Sequence, residues 1–242
     1  MSEDAQSVNK WGYWATAAWA AVAFLVGQFL ALAITAKWRT GSLGAMMETP
    51  FDGALVTLFI VISNPITMAI LWFAARWARA NPADYLALVW PKKHDVIVGL
   101  ILLGALIALG DILLFVSGRE LVTPFQLQSY TTAAAEGWLP ALWFAAIVVA
   151  PAGEEWLFRG FLFRGFVKSE RSLWPAIVVI SLLWAALHIQ YDWAGILQIF
   201  IIGLFLGWVR WTSGSVLLTF LLHALFNLEG TLETVLAIKF FS

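Results

Sequence analysis

The sequence contains no cysteine, which excludes a disulfide framework, thiolate chemistry and metal sites built on cysteine. Charged residues are also scarce, at 12% of 242 residues, whereas soluble domains carry about 25%. The net charge is −1 and lysines and arginines form no long block, so nothing indicates a nucleic-acid partner. No HExxH, Walker A or Rossmann glycine pattern occurs, which excludes an ordinary zinc protease, a P-loop NTPase and a dinucleotide-binding enzyme.

Long hydrophobic runs make up most of what is present, since 62% of the residues are hydrophobic, against about 45–50% in soluble domains. A helix needs about 20 apolar residues to cross a membrane, where a backbone without water partners favours helix. We therefore predict an all-α polytopic membrane protein, a bundle of about eight transmembrane helices in a single domain over 1–242. The expected spans are 13–36, 53–75, 96–117, 138–164, 173–191, 194–210, 214–228 and 229–241.

The distribution of lysine and arginine predicts the orientation of these spans. The amino-terminal "MSEDAQSVNKWGYW" lacks the basic region of a signal peptide, so we take the first span as permanent. If eight spans alternate, the amino-terminal side collects ten basic residues and the other side three. The positive-inside rule then places both termini in the cytoplasm. The ten are Lys10, Arg76, Arg79, Lys92, Lys93, Arg164, Lys168, Arg171, Arg210 and Lys239, and the three are Lys37, Arg39 and Arg119.

Two sequence features predict local helix geometry inside the membrane. Pro65 and Pro151 each remove an intrahelical hydrogen bond, so we expect a kink in the second and fourth spans. Gly203 and Gly207 form a GxxxG pattern, which allows a neighbouring helix to approach closely.

Ionisable groups inside a membrane are costly, about 2.5–3.5 kcal/mol for a charge at its centre, and are candidates for function. Glu155 and Arg159 are four residues apart and are expected to form an ion pair. Glu154 points about 100° away from Glu155 and has no basic residue one turn away. It therefore needs a partner on another helix, water, or a proton. Asp111, with no second carboxylate on its helix, is given a packing or water-contact role.

Of the three histidines, His94 lies in the polar "PKKHD" loop and is expected to be solvated. His188 and His223 lie in apolar spans, and His223 shares a helix face with Asn227 four residues later. If these groups converge with Glu154, a carboxylate could activate water and the histidines and amide could stabilise the developing charge. The same groups could instead hold zinc with one position open for water. Ser181 and Ser215 lack a GxSxG setting and are weaker candidates.

Three motifs in order resemble the CPBP family, the CAAX protease and bacteriocin-processing (Abi) intramembrane proteases. "EEWLFR" at 154–159 is similar to the family's EExxxR motif, "WAALH" at 184–188 to FxxxH, and "HALFN" at 223–227 to HxxxN. The resemblance covers roughly 139–230. The one departure is Trp184 at a position where phenylalanine is usual, from which we expect altered packing and retained chemistry.

The resemblance implies a water-filled intramembrane cavity and proteolysis of a membrane-associated protein or peptide, prenylated or lipid-anchored in one branch of the family. Glu154 would activate water together with His188, and His223 and Asn227 would stabilise the oxyanion. Glu155 and Arg159 would support the site. A metalloprotease holding zinc through Glu154, His188 and His223 is one alternative, and a metal-free glutamate mechanism is the other.

Two other functions fit the same sequence. A membrane scaffold or bacteriocin-immunity protein would use the bundle for binding, and a proton-coupled transporter would use buried glutamate and histidine as a relay. The resemblance favours a bacterial cell membrane as the location, with membrane lipids and a peptide substrate as partners. One geometric conflict remains, because the spans place Glu154 and His188 at different depths, about 24 Å and 22 Å from opposite faces.

Overall fold

A computed structural model describes residues 11–48 and 51–241, and within these ranges every regular element is a helix. Lys10 and most of the acidic amino-terminal segment lie outside the described residues. The helices are α1 (Tyr13–Thr35), α2 (Leu43–Glu48), α3 (Gly53–Trp77), α4 (Pro82–Tyr85), α5 (Lys93–Val116), α6 (Pro124–Ala135), α7 (Leu139–Phe166), α8 (Glu170–Ala186), α9 (Trp193–Ser213) and α10 (Val216–Phe241).

Six helices are long and apolar enough to cross a membrane: α1 with its extension to Thr40, α3, α5, α7, α9 and α10. Helix α8 has 17 residues and, at about 1.5 Å per residue, spans about 25 Å. The prediction of a polytopic all-α membrane protein is confirmed. Exposed tryptophans near helix ends, such as Trp14, Trp38, Trp77 and Trp90, match the aromatic belts of such proteins.

The predicted count of eight spans differs from the structure at the carboxyl-terminal end. The ranges 214–228 and 229–241 form the single helix α10. No proline separates them, and Gly230 alone does not end a helix because an isolated glycine costs only about 1 kcal/mol. The expected span 173–191 is also shorter, since α8 ends at Ala186. The chain therefore has seven long helices in its described part, and Lys239 lies at the opposite end of the bundle from the one predicted.

Helix α7 is not a regular α-helix. It contains two π-helical segments, Ala145–Val149 and Trp156–Leu162, on either side of a short α-helical segment that carries Glu154 and Glu155. Pro151 is the second residue after the first π-helical segment. Segments of this kind are frequent at functional sites, because they free backbone groups and turn side chains away from the regular helical positions.

Direct contacts define two ends of the bundle. At one end, which we call the α6 end, Gly53 N donates to Thr132 Oγ1 (2.8 Å) and Arg119 pairs with Asp192 (2.5 Å). The α6 end comprises 36–48, 117–138 and 187–192. At the opposite, basic end, Val216 N donates to the Ala87 carbonyl (3.0 Å) and Lys168 Nζ to the Trp11 carbonyl (3.3 Å). The basic end comprises 76–93, 164–171 and 210–216.

The predicted close approach at the GxxxG pattern is confirmed. A Cβ at Gly203 would lie 2.9 Å from Ser181 Cβ, and one at Gly207 would lie 2.8 Å from Ile177 Cγ2. Helix α9 therefore packs against α8 at a distance that larger residues would not allow. This contact sets the position of Trp184, whose ring atoms lie 3.2 Å from the same Gly203 position.

Candidate active site

Glu154 lies at the wall of a large cavity in the α6 half of the bundle. The cavity has a volume of about 1230 Å³, and about a quarter of the Glu154 side chain is exposed to it. The adjacent Gly153 has no room for a side chain, because a Cβ there would overlap the Asn64 amide of α3. This close packing of α3 on α7 fixes the backbone on which the Glu154 carboxylate is carried.

Glu155 and Arg159 form the expected ion pair, with Arg159 Nη1 2.7 Å from Glu155 Oε1 and both side chains almost completely buried. Arg159 also donates to the Gly203 carbonyl of α9 (3.2 Å), and its guanidinium lies over the Trp184 ring of α8, 4.5 Å from the centroid. The pair therefore joins α7 to two other helices. Burial of two charges is tolerated because the charges neutralise each other and the guanidinium has further partners.

His223 connects the buried pair to Glu154. Its Nδ1 lies 2.9 Å from Glu155 Oε1. An ionised carboxylate can only accept, so the proton is on Nδ1. The Nε2 atom then faces Glu154, at 4.0 Å from Oε2. A carboxylate that holds one imidazole nitrogen fixes both the tautomer and the orientation of the ring.

Trp184 makes a polar contact that the sequence comparison with the FxxxH motif did not predict. Its Nε1 donates to Glu154 Oε2 at 2.6 Å, and the ring is buried. The rings of His188 and His223 meet it nearly edge-on, with centroid distances of 5.3 Å and 5.1 Å. A phenylalanine would keep the ring contacts but has no donor, so the expectation of changed packing alone was incomplete. The departure from the motif was the sequence signal for this contact.

His188 lies in the turn after α8, and its Nδ1 is 2.8 Å from the Trp184 carbonyl oxygen. Its side chain lines the cavity, and its ring approaches that of Tyr191, with centroids 6.2 Å apart. In the described part of the chain, no hydrogen bond joins His188 to Glu154. The spans predicted from the sequence placed Glu154 and His188 at different depths. In the structure, the α8 residue that contacts Glu154 is Trp184, one helical turn before His188.

Tyr191 is a cavity residue that the sequence analysis did not single out. Burial raises the pKa of its phenol to about 12, and the charge of Glu154 acts in the same direction. The phenol is therefore neutral near pH 7 and offers the cavity a hydrogen-bond donor. A tyrosine in a connecting segment carries no local motif, so only the fold could identify it.

Asn227 holds α10 to the irregular part of α7, with its Nδ2 2.8 Å from the Ala146 carbonyl oxygen. The Ala150 N–H bonds to the Ala145 carbonyl, and Pro151 has no N–H to offer. The Ala146 carbonyl therefore lacks its usual helical donor, and Asn227 supplies one. The second hydrogen of the amide is left for another acceptor.

The proposed zinc ligands were tested by their separation. A zinc ion lies about 2.0–2.2 Å from each nitrogen or oxygen ligand, so its ligand atoms lie close to one another. In the described residues, the one group of three with ligand atoms all within 4.8 Å is Asp111, Glu229 and Glu233. Glu154, His188 and His223 do not meet this distance, so as arranged here they do not fit a zinc ion.

Two polar candidates from the sequence remain, His94 and Asp111. His94 is solvated as expected, since 83% of its side chain is exposed. Asp111 is not isolated from other carboxylates, because Glu229 and Glu233 of α10 lie beside it. The sequence could not show this cluster because its members come from α5 and α10, more than a hundred residues apart.

Comparison with known proteins identifies the part of the chain that carries this site. Residues 136–228 match the model of the "Type II CAAX prenyl endopeptidase Rce1-like" family. The matched region is less than half of the chain and contains Glu154, Trp184, His188 and His223 together with all three motifs, in agreement with the motif resemblance.

One curated relative of the chain is an uncharacterized 24.3 kDa protein of Escherichia coli, 36% identical over 78 residues. The aligned part is 31% of this chain and 36% of that protein, so the chain spans about a third of this relative's length. No solved structure matches the chain significantly.

Proposed function

We propose that this protein is an intramembrane endopeptidase that hydrolyses a peptide bond of a membrane-associated protein or peptide, including prenylated or lipid-anchored ones. The observation that carries the proposal is the Glu154 carboxylate. It faces a cavity of about 1230 Å³, accepts a hydrogen bond from Trp184 and lies opposite His223 Nε2. The family match over 136–228 supports the same reaction.

In this proposal Glu154 is the general base. The 4.0 Å between Glu154 Oε2 and His223 Nε2 is too long for a direct hydrogen bond and suits a water molecule between the two atoms. Glu154 takes a proton from this water as the water oxygen attacks the peptide carbonyl, and later delivers it to the leaving amine. Trp184 donates to the same oxygen, Oε2, and so fixes the carboxylate on the side that faces His223.

His223 and Asn227 have supporting roles. Glu155 accepts from His223 Nδ1 and so keeps the unprotonated Nε2 turned toward Glu154, where it can accept a hydrogen bond from the attacking water. The free hydrogen of the Asn227 amide is available to the oxyanion. His188 lines the cavity and would orient substrate there. The proposed reaction uses no metal ion, because the ligand atoms of Glu154, His188 and His223 do not all lie within 4.8 Å of one another as arranged.

The test compares Glu154→Gln with Glu120→Gln, a carboxylate at the exposed edge of the same cavity. Both proteins are purified in detergent and given a library of fluorescence-quenched peptides. Glutamine still accepts the Trp184 N–H but cannot take a proton, so we expect hydrolysis to fall by at least about 100-fold. Glu120→Gln should keep activity, and both variants should unfold at the wild-type temperature.

Two outcomes would count against the protease. If Glu154→Gln cleaves as fast as the wild type, this carboxylate is not the base. If folded wild-type protein cleaves nothing and instead conducts protons in liposomes, the transporter alternative takes its place. Binding of a partner that persists in Glu154→Gln without any cleavage would identify a scaffold.

A further inference from the structure

The cavity lies mainly toward one end of the bundle. Its wall is built from parts of α1 and the larger part of α10, the amino-terminal and central parts of α3 and α7, the amino-terminal part of α9, the carboxyl-terminal parts of α5 and α8, and the connections of the α6 end. It extends inward as far as Phe158 of α7 and His223 of α10, which lie beyond the middle of their helices as counted from the α6 end. No residue of the basic end lines it. Its entrance is therefore at the α6 end, beside Glu120, Phe125 and Tyr191.

The lysines and arginines are concentrated at the opposite end. Within the described residues, eight lie at the basic end and four at the α6 end. The eight are Arg76, Arg79, Lys92, Lys93, Arg164, Lys168, Arg171 and Arg210, and the four are Lys37, Arg39, Arg119 and Lys239. These residues lie in short connections or at helix ends, where the positive-inside rule applies, so the basic end is expected to face the cytoplasm.

The corrected helix count reduces this asymmetry but keeps the excess of lysines and arginines at the basic end. Merging 214–228 with 229–241 moves only Lys239 to the α6 end. The ends of the other helices are fixed by the contacts between connections, such as Arg119–Asp192 at the α6 end and Val216–Ala87 at the basic end. The orientation therefore depends on which end holds the basic residues and not on the number of spans.

We propose that the cavity opens on the non-cytoplasmic face of the membrane, and that the peptide segment cleaved is presented from that side. The part about cleavage rests on the proposed function, whereas the orientation does not. The substrate class is a membrane-associated peptide whose scissile segment lies outside the cytoplasm.

The absence of cysteine allows a direct test, because a single introduced cysteine is labelled without background. Gln128→Cys on α6 and Ile189→Cys in the α8–α9 turn report the α6 end, and both positions are exposed. His94→Cys reports the basic end at an exposed position and leaves every lysine and arginine in place. Intact cells of a bacterial host are treated with a membrane-impermeant maleimide, before and after permeabilisation.

We expect Gln128→Cys and Ile189→Cys to be labelled in intact cells and His94→Cys only after permeabilisation. The reverse pattern, or labelling of all three in intact cells, would overturn the proposal. Labelling of all three after permeabilisation, with retained unfolding temperature, verifies that the variants are folded and reactive.

A second measurement tests on which side of the membrane the peptide is cleaved. Membrane-impermeant peptides that the detergent-purified protein cleaves are added to right-side-out and to inside-out membrane vesicles. We expect product in right-side-out vesicles at a rate at least about tenfold higher, and a higher rate in inside-out vesicles would overturn the proposal. Because labelling requires no turnover, a failure of the orientation and a failure of the protease function give different results.

Discussion

The buried side chains of Glu155, Arg159 and His223 form one connected group. Glu155 Oε1 contacts both Arg159 Nη1 (2.7 Å) and His223 Nδ1 (2.9 Å), and all three side chains are almost fully buried. Removing one member of such a group leaves an uncompensated charge in a medium of low dielectric constant. At the scale of single residues, this group supports both the fold and the orientation of the catalytic histidine.

We expect Glu155→Gln to lower the free energy of unfolding by about 3–5 kcal/mol, because the buried Arg159 loses its counter-charge. Arg119→Gln is the matched control, since it breaks the partly exposed Arg119–Asp192 pair and should cost only about 0–1 kcal/mol. Chemical unfolding in detergent micelles measures both. Equal losses in the two variants would contradict the account of the buried pair.

At the scale of elements, helix α7 owes its irregular shape to a missing hydrogen bond. Pro151 offers no N–H, and Asn227 of α10 donates to the Ala146 carbonyl in its place. The kink expected from Pro151 thus takes the form of a π-helical segment with a side-chain donor from another helix. The hydrogen bond between Asn227 and Ala146 therefore couples the position of Glu154 to α10, which also carries His223.

A double-mutant cycle measures this link. Asn227→Ala alone should cost about 0.5–1.5 kcal/mol, because the half-buried Ala146 carbonyl loses its donor. In a Pro151→Ala background, position 151 regains a backbone N–H. This N–H can donate to the carbonyls of the preceding turn of α7 in competition with the Asn227 amide. The cost of Asn227→Ala should then fall by about 1 kcal/mol. Unfolding free energies that add to within about 0.5 kcal/mol would show that the two positions are independent.

At the scale of the whole molecule, seven long helices enclose a cavity that is deep, polar at its base and open at one end. The base holds Glu154 between Trp184 and His223, while the acidic cluster of Asp111, Glu229 and Glu233 lies on the α5–α10 side. Glu229 and Glu233 of this cluster line the same cavity as Glu154.

We expect the purified protein to keep its peptidase activity after verified removal of metal ions by a chelator. The physical reason is the separation of Glu154, His188 and His223, whose ligand atoms do not all lie within 4.8 Å of one another. A zinc protease of the HExxH type, treated in parallel, should lose activity. Loss of activity that zinc restores would instead establish the metalloprotease alternative.

The sequence predicted the helices well where length and hydrophobicity decide the outcome, as for α1, α3, α5, α7 and α9. It also predicted the Glu155–Arg159 pair and the close approach at Gly203 and Gly207, because each depends on spacing along one helix. It failed at the carboxyl-terminal end, where Glu229 and Glu233 interrupt the apolar run and α10 nevertheless continues. These side chains are accommodated because they face the cavity.

Composition and motif order alone determined that this is a helical membrane protein with a protease-like set of residues between 136 and 228. Only the tertiary structure decided that His223 faces Glu154, that Trp184 donates to it, and that the cavity opens at the α6 end. The physical reason is that a helix fixes which of its own residues share a face. Its tilt and depth against other helices determine which of those faces meet.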